Sequence, residues 1–270
     1  MRTIRVYITL LFLAAVHLQG ADTPSLRIAV IGGIESSGLW QKIGSAFRRE
    51  SGIGIETAIA GTKHELDAYC RTHEVDLVTM HASDTMADLA ADGFVENLLP
   101  WARNSQMILA ARGNPAGISR EEPLEKALAK ITASQAPFIV HASGGTFEVF
   151  GELAHAYGFR LPDERLRFTA AKRGFMNDVV AENGYTLYGV IPYLLQKQHH
   201  PMIDGYVYDD PKLRRPYLAA IGTEARIGAK RHEDAQKLLA FLVCDETQQM
   251  IKTFRIEGHE NVPVFFPVKP

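Results

Sequence analysis

Cysteine is nearly missing from this 270-residue chain: Cys70 and Cys244 are the whole supply. A dense disulfide scaffold is therefore excluded. One bridge between them would tie the start of the chain to its end, and two buried thiols fit the sequence equally well. Long apolar runs are also scarce. After residue 20 no stretch approaches the ~20 residues that a membrane-spanning helix needs, so no membrane insertion is expected. Charge of one sign is lacking too, with 29 Lys+Arg against 31 Asp+Glu and a formal net charge of −2. The basic residues are scattered, which gives no footprint for nucleic acid or an anionic membrane. There are no internal repeats and no low-complexity linkers. The sequence has no HExxH, no CxxC, no phosphate loop and no GxSxG turn, so the common enzyme signatures are absent. His199 and His200 are adjacent, and neighbours in sequence point in different directions, so they do not make a metal pair. No metal site, cofactor or catalytic residue is expected.

What is present begins with an export signal. Arg2 and Arg5 precede the apolar run Val6 to Val16, and the small residues Gly20 and Ala21 follow. That run is too short to span a bilayer and has the order of a cleavable signal peptide at 1–20. No Cys lies near the junction to take a lipid. A periplasmic, freely soluble mature chain is expected.

From Ser25 onward the pattern alternates. LRIAVIGG reads as a buried strand ending in two glycines. SSGLWQKIGSAFRRES places Leu39, Trp40, Ile43 and Phe47 on one helical stripe, with Ser36 or Ser37 as N-cap. GIGIETAIAG is a second strand, ELDAYCRTH a short helix, and VDLVTMHA an almost wholly apolar strand of the parallel central kind. Ser83 caps the helix SDTMADLAADGF. QMILAAR resumes the strands at 106–112, and GNPAGIS interrupts them. A second alternation follows: the helix EEPLEKALAKITAS, the strand PFIVHAS and a helix after GGTF. FMNDVVAEN and YGVIPYLLQKQ read as helices, GYVY and RPYLAAIG as strands, and HEDAQKLLAFLVCDETQQMIKTFR as one or two terminal helices. Such alternation argues for α/β units with sheets flanked by helices. In these sheets ligands bind beyond the carboxyl ends of the strands.

The order of ESSGLWQKIGSAF, AGTKHEL, VDLVTMHASDTMADLAADGF, GNPAGIS, FIVHASGGTF, FMNDVVAENGYTLYGVIPYLL, RPYLAAIG and the closing FFPV resembles the periplasmic tungstate-binding protein family. Its relatives are molybdate and sulfate binders. The motifs run in the family's order over nearly the whole mature chain. The resemblance implies a type II periplasmic-binding fold: two lobes of parallel or mixed sheet flanked by helices, joined by a two-crossing hinge. Residues 25–112 plus 217–270 would form lobe I and 113–216 lobe II. The implied function is a monomeric solute-binding protein that delivers a small-molecule or oxyanion ligand, tungstate or molybdate by family, to an ABC permease. The alternative is a periplasmic accessory or sensor protein that binds another small molecule, metal or cofactor without transport.

Five loops should meet at the cleft, where helix N-termini offer unpaired backbone N–H groups. Gly32 and Gly33 stand where the family carries a run of hydroxyl residues, and Glu35 and Ser36 follow. Thr62 matches a Gly-Thr-Gly turn and is also a natural helix N-cap. His81 closes the central strand. His141 replaces a family arginine, ahead of Ser143, Gly144, Gly145 and Thr146, a small-residue turn suited to an anion. Arg173, Phe175, Met176 and Asn177 stand where the family has Gly-Met-Gly, and Tyr188 or Tyr185 flanks the next segment. The departures fall on the ligand loops, so the implied ligand need not be tungstate or molybdate.

Overall fold

The computed structural model describes residues 25–141, 145–169 and 175–268, with the Phe175 side chain excepted. The export segment 1–20, together with Ser143, Gly144 and Arg173, lies outside the described residues.

Ten strands form one mixed sheet: β1 Ser25–Ile31, β2 Gly54–Gly61, β3 Leu77–His81, β4 Val95–Ala111, β5 Phe138–His141, β6 Leu166–Thr169, β7 Tyr185–Gly189, β8 Ile203–Tyr206, β9 Arg214–Gly222 and β10 Phe265–Pro267. The helices are α1 Gly32–Ser37, α2 Leu39–Ser51, α3 Lys63–Thr72, α4 Asp84–Ala91, α5 Leu124–Ala133, α6 Gly145–Tyr157, α7 Phe175–Ala181, α8 Val190–Gln196, α9 Glu224–Ile227, α10 Ala229–Leu242 and α11 Asp245–Thr253. The main strand order is β2-β1-β3-β9-β4-β7-β5-β6, with β8 and β10 also paired to β4.

Each wing of the sheet is parallel. β1 pairs in parallel with β2 and β3, and β5 with β6 and β7. The centre is antiparallel, because β4 runs against β9, β7, β8 and β10. β4 holds the two wings together. It pairs with β9 up to Ser105 and with β7 from Gln106.

Two side-chain clusters form the core, and the larger reaches from the first wing into the second through Ile139, Val179, Val190 and Ile203. The larger one gathers Trp40, Phe47, Trp101, Tyr217, Leu238, Phe241 and Phe265. Trp40 meets Trp101 edge-on at 6.0 Å between centroids, a favoured aromatic geometry. The smaller one gathers Leu128, Phe138, Leu153, Phe159, Tyr185 and Leu213. The stripe Leu39, Trp40, Ile43, Phe47 is buried on α2, as its spacing predicts.

Several local expectations are corrected. Ser36 and Ser37 do not cap α2. The glycines at 32 and 33 open a separate one-turn helix, and Gly38 in the left-handed region (φ 86°) separates it from α2. Ser37, one residue before the N-cap Gly38, donates from Oγ to the Ile34 carbonyl at 2.7 Å and accepts from Leu39 N at 3.3 Å. Ser83 precedes α4 without a side-chain cap; its hydroxyl donates to the His81 carbonyl at 3.2 Å. The strand expected at 106–112 is the second half of β4, which starts at Val95. Pro100 hid the first half, and the ladder accommodates it at register breaks between Glu96 and Leu99 and between Pro100 and Ala102. The helix expected over YGVIPYLLQKQ begins only at Val190, because Tyr185–Gly189 is strand β7. Cys70 and Cys244 are both free thiols, and burial pushes the Cys70 thiol up to about 12.

Candidate functional site

Where β4 changes partners, a cleft of about 480 Å³ opens between the wings. The carboxyl ends of β1, β3 and β7 reach it, through Gly33 and Ser36 after β1, His81 at the end of β3, and Tyr188 and Gly189 at the end of β7. Asn104 and Gln106 contribute from the middle of β4, Thr146 from the first turn of α6 and Tyr217 from β9. Ile191, Pro192 and Leu195 of α8 form its apolar wall.

The floor is polar and tightly held. His81 Nε2 and Asn104 Oδ1 are 3.3 Å apart, and the imidazole lies against the Tyr217 ring at 4.2 Å. Protein surrounds that ring closely. Burial, then the nearby Arg215 charge, pushes the His81 imidazolium down to about 3, so His81 is neutral across the physiological range. Thr146 Oγ1 donates to Gln106 Oε1 at 3.5 Å. Tyr217 is wholly buried, and its hydroxyl has no partner among the described residues. Burial holds this phenol well above its ordinary range, so it stays a neutral hydroxyl. Burial also raises the Tyr188 phenol.

Charge sits at the edge of this floor. Arg215, 9% exposed, donates from Nη2 to Glu148 Oε2 on α6 at 2.7 Å. A Cβ at Gly145 would overlap the Arg215 guanidinium, so glycine there leaves room for the arginine. Lys63, the first residue of α3, has its pKa lowered by burial and then by Arg215. Both cations act on His81 electrostatically, although neither is among the residues lining the cleft.

Of the residues picked out by sequence, Gly33, Ser36, His81, Thr146 and Tyr188 line the cleft together. Gly145 lies behind Thr146 against Arg215. Gly32 packs against the Gly61 carbonyl, 3.6 Å from where its Cβ would be. Glu35 is not in the lining; its carboxylate accepts from Thr57 Oγ1 on β2 at 3.4 Å. Thr62 forms a capping box at α3: its hydroxyl accepts from Glu65 N, and Glu65 Oε2 accepts from Thr62 N at 2.7 Å. Met176 is a core residue, and exposed Asn177 lines a different hollow with His199 and His200. His141 ends β5 and is not among the residues lining the cleft. No group of three or more metal-ligating side chains occurs among the described residues.

Asn104, Gln106, Arg215, Tyr217 and Lys63 escaped the loop-based reading because four of them sit within strands and one opens a helix. The polar run Asn104-Ser105-Gln106 inside a buried strand was the available signal, since buried polar groups demand partners.

Comparisons with known proteins agree with this fold. The tungstate-binding protein TupA from Desulfovibrio alaskensis G20 superposes with a TM-score of 0.72 at 22% identity, covering 90% of this chain and 98% of that one. A tungstate ABC transporter structure from Geobacter sulfurreducens gives 0.67 at 20% identity, over 85% and 98%. The substrate-binding domain of a putative molybdenum ABC transporter from Clostridium difficile gives 0.61 at 13% identity, over 91% and 99%. At these identities the likeness shows the fold, which is the periplasmic-binding α/β type. No curated protein matches the chain by sequence. Residues 26–254 match the profile of the bacterial extracellular solute-binding proteins, and the chain belongs to that family.

Proposed function

We propose that this chain is the periplasmic solute receptor of an ABC importer. It captures one small ligand in the cleft described above and presents the closed form to a permease. The observation that carries this is the cleft itself: hydrogen-bonding groups from both wings converge where a single long strand changes partners. The two wings then act as the lobes 25–112 plus 217–270 and 113–216. The partner change at Ser105 and Gln106 supports a hinge crossing slightly earlier in β4 than residue 112, with the return crossing just before β9. Closure about two such crossings is a known hinge motion.

In this reading residues 1–20 export the chain, it works as a monomer, and it has no turnover of its own. The named ligands of its structural relatives, tungstate and molybdenum species, make oxyanions the first candidates. The ligand contacts are Gly33, Ser36, His81, Thr146 and Tyr188, joined by Asn104, Gln106 and Tyr217, while Gly145 makes room for Arg215. The test is native mass spectrometry of the protein taken from its own periplasm, followed by thermal unfolding with the recovered compound. A binder gains stability as RT ln(1 + [L]/Kd) and leaves the compound unchanged. Chemical conversion of the compound overturns the reading.

A further inference from the structure

The cleft has a donor pole and an apolar wall, and their chemistry narrows the ligand. At the pole, the side-chain oxygens are already engaged: Asn104 Oδ1 faces His81 Nε2, and Gln106 Oε1 accepts from Thr146. Both residues are 5% exposed. Their amide nitrogens are donor groups at the same pole. The Tyr217 hydroxyl, wholly buried beside them, is a donor without a partner among the described residues. A buried donor without a partner is costly, so this pole is built to meet acceptors.

The charge of the acceptor follows from burial. Arg215 and Lys63 are at least partly buried, whereas the acids near them, Glu148 and Asp84, are exposed. Exposed charges are screened by solvent far more than buried ones, so the potential at the pole is positive. Arg215 donates from Nη2 to Glu148, and its other N–H groups have no acceptor among the described residues.

Size and the opposite wall give the rest. Ile191, Pro192 and Leu195 face the pole across a cleft of 480 Å³. That volume lies in the range of organic-ligand sites, which combine a mostly apolar lining with a few placed polar groups. A bare tetrahedral oxyanion has nothing to set against this wall.

Resting on the reading that this cleft is the solute site, we infer that its ligand is an organic carboxylate. Its carboxylate takes hydrogen bonds from Tyr217, Asn104 and Gln106 near Arg215, and its apolar body lies along α8.

Calorimetry and thermal unfolding on the mature chain test this with acetate, hexanoate, benzoate, phenylacetate and indole-3-acetate, each beside its primary amide, and with tungstate, molybdate and sulfate. Carboxylates with an apolar body bind at least tenfold more tightly than acetate and than their own amides. Tyr217→Phe and Arg215→Met each weaken that binding about tenfold, the loss expected for one charged hydrogen bond. Leu195→Gln weakens the larger carboxylates and leaves acetate unchanged. If no carboxylate binds, or if the amides bind as well as the acids, the inference is overturned. Tight tungstate or molybdate binding that is lost on Tyr217→Phe also overturns it, while leaving the solute-receptor function standing. Carboxylate binding that is indifferent to all three substitutions overturns both the inference and the assignment of the cleft.

Discussion

Two arginines are buried to nearly the same extent, Arg165 at 8% and Arg215 at 9% exposure, yet their surroundings differ in kind. Arg165 ends the short 3-10 turn Asp163–Arg165, and its guanidinium reaches the C-terminal end of α5. Its Nε donates to the Ala136 carbonyl at 3.1 Å, Nη1 to Thr132 at 2.8 Å, and Nη2 to Ile131 and Ala136 at 2.7 and 2.9 Å. One side chain thus serves three backbone carbonyls at and just beyond the end of α5, of which Ile131 also accepts from Ser134. Among the described residues Arg215 has a single carboxylate partner, on an exposed glutamate of another element. A saturated buried cation belongs to the scaffold. One with donors to spare, beside an unpartnered phenol, belongs to a place that something else completes.

The comparison predicts its largest effect at Arg165. Arg165→Met keeps the apolar stem and removes every donor, so four hydrogen bonds are lost and the buried Ala136 carbonyl loses both donors that Arg165 gives it. Leaving a buried polar group unpaired costs about 1–3 kcal/mol, so a total loss of about 3 kcal/mol or more is expected. For a chain of this size that lowers Tm by roughly 6–12 °C. Ligand affinity, measured by calorimetry below the transition, stays unchanged. A loss under about 1 kcal/mol in urea titration would mean that saturation does not mark the scaffold.

The second effect is in pH, and it concerns the cleft floor. His81 has its folded pKa depressed to about 3, against about 6.5 in the unfolded chain. Below pH 6.5 the unfolded chain takes up a proton there and the folded chain does not. Stability is therefore fully present above 6.5 and is lost as pH falls toward 3. The slope is at most about 1.4 kcal/mol per pH unit, or about 2 kcal/mol between pH 6.5 and 5. Urea unfolding of the wild type and His81→Gln at pH 7 and pH 5 reads this as a difference in slope. Equal slopes would show that the imidazole is solvated rather than enclosed.

Much of the scaffold was legible because periodicity is a local property. The α2 stripe and the strands ending at Ile31, His81 and Gly222 follow from apolar spacing alone. What stayed hidden depends on tertiary pairing. A proline and a left-handed Asn97 disguised the first half of β4, and only its partners β9 and β10 make it a strand. The helix expected from Tyr188 claims the last two residues of β7, because Pro192 can sit in a first turn. The site divides the same way. Loop residues such as Gly33, Ser36 and Thr146 could be named from turn chemistry. Asn104, Gln106 and Tyr217 could not, because which face of a strand meets a cleft is decided by the other wing.

Thr62 tests this division at smaller scale. Its turn suggested a cleft contact, but its hydroxyl and N–H both engage Glu65. Thr62→Ala removes a capping box and should cost about 1 kcal/mol, visible as a shift of the urea midpoint at constant slope. Binding of any cleft ligand is expected to be unchanged.

The smallest stability effect is expected at Arg215, and it decides whether the opening comparison holds. Arg215→Met leaves behind a glutamate that is already more than half exposed and so returns to water at little cost. Ion pairs with such a partner contribute about 0–1 kcal/mol. The substitution also removes a charge that opposes Lys63 and His81, which offsets part of that loss. A change under about 1 kcal/mol is expected in urea, together with an upward move of the His81 pKa that leaves it still below its ordinary value, because burial is the larger cause. Proton NMR titration of His81 in the variant checks the second part. An Arg215→Met loss as large as that of Arg165→Met would place both arginines in the scaffold, and equal burial would then mean equal role.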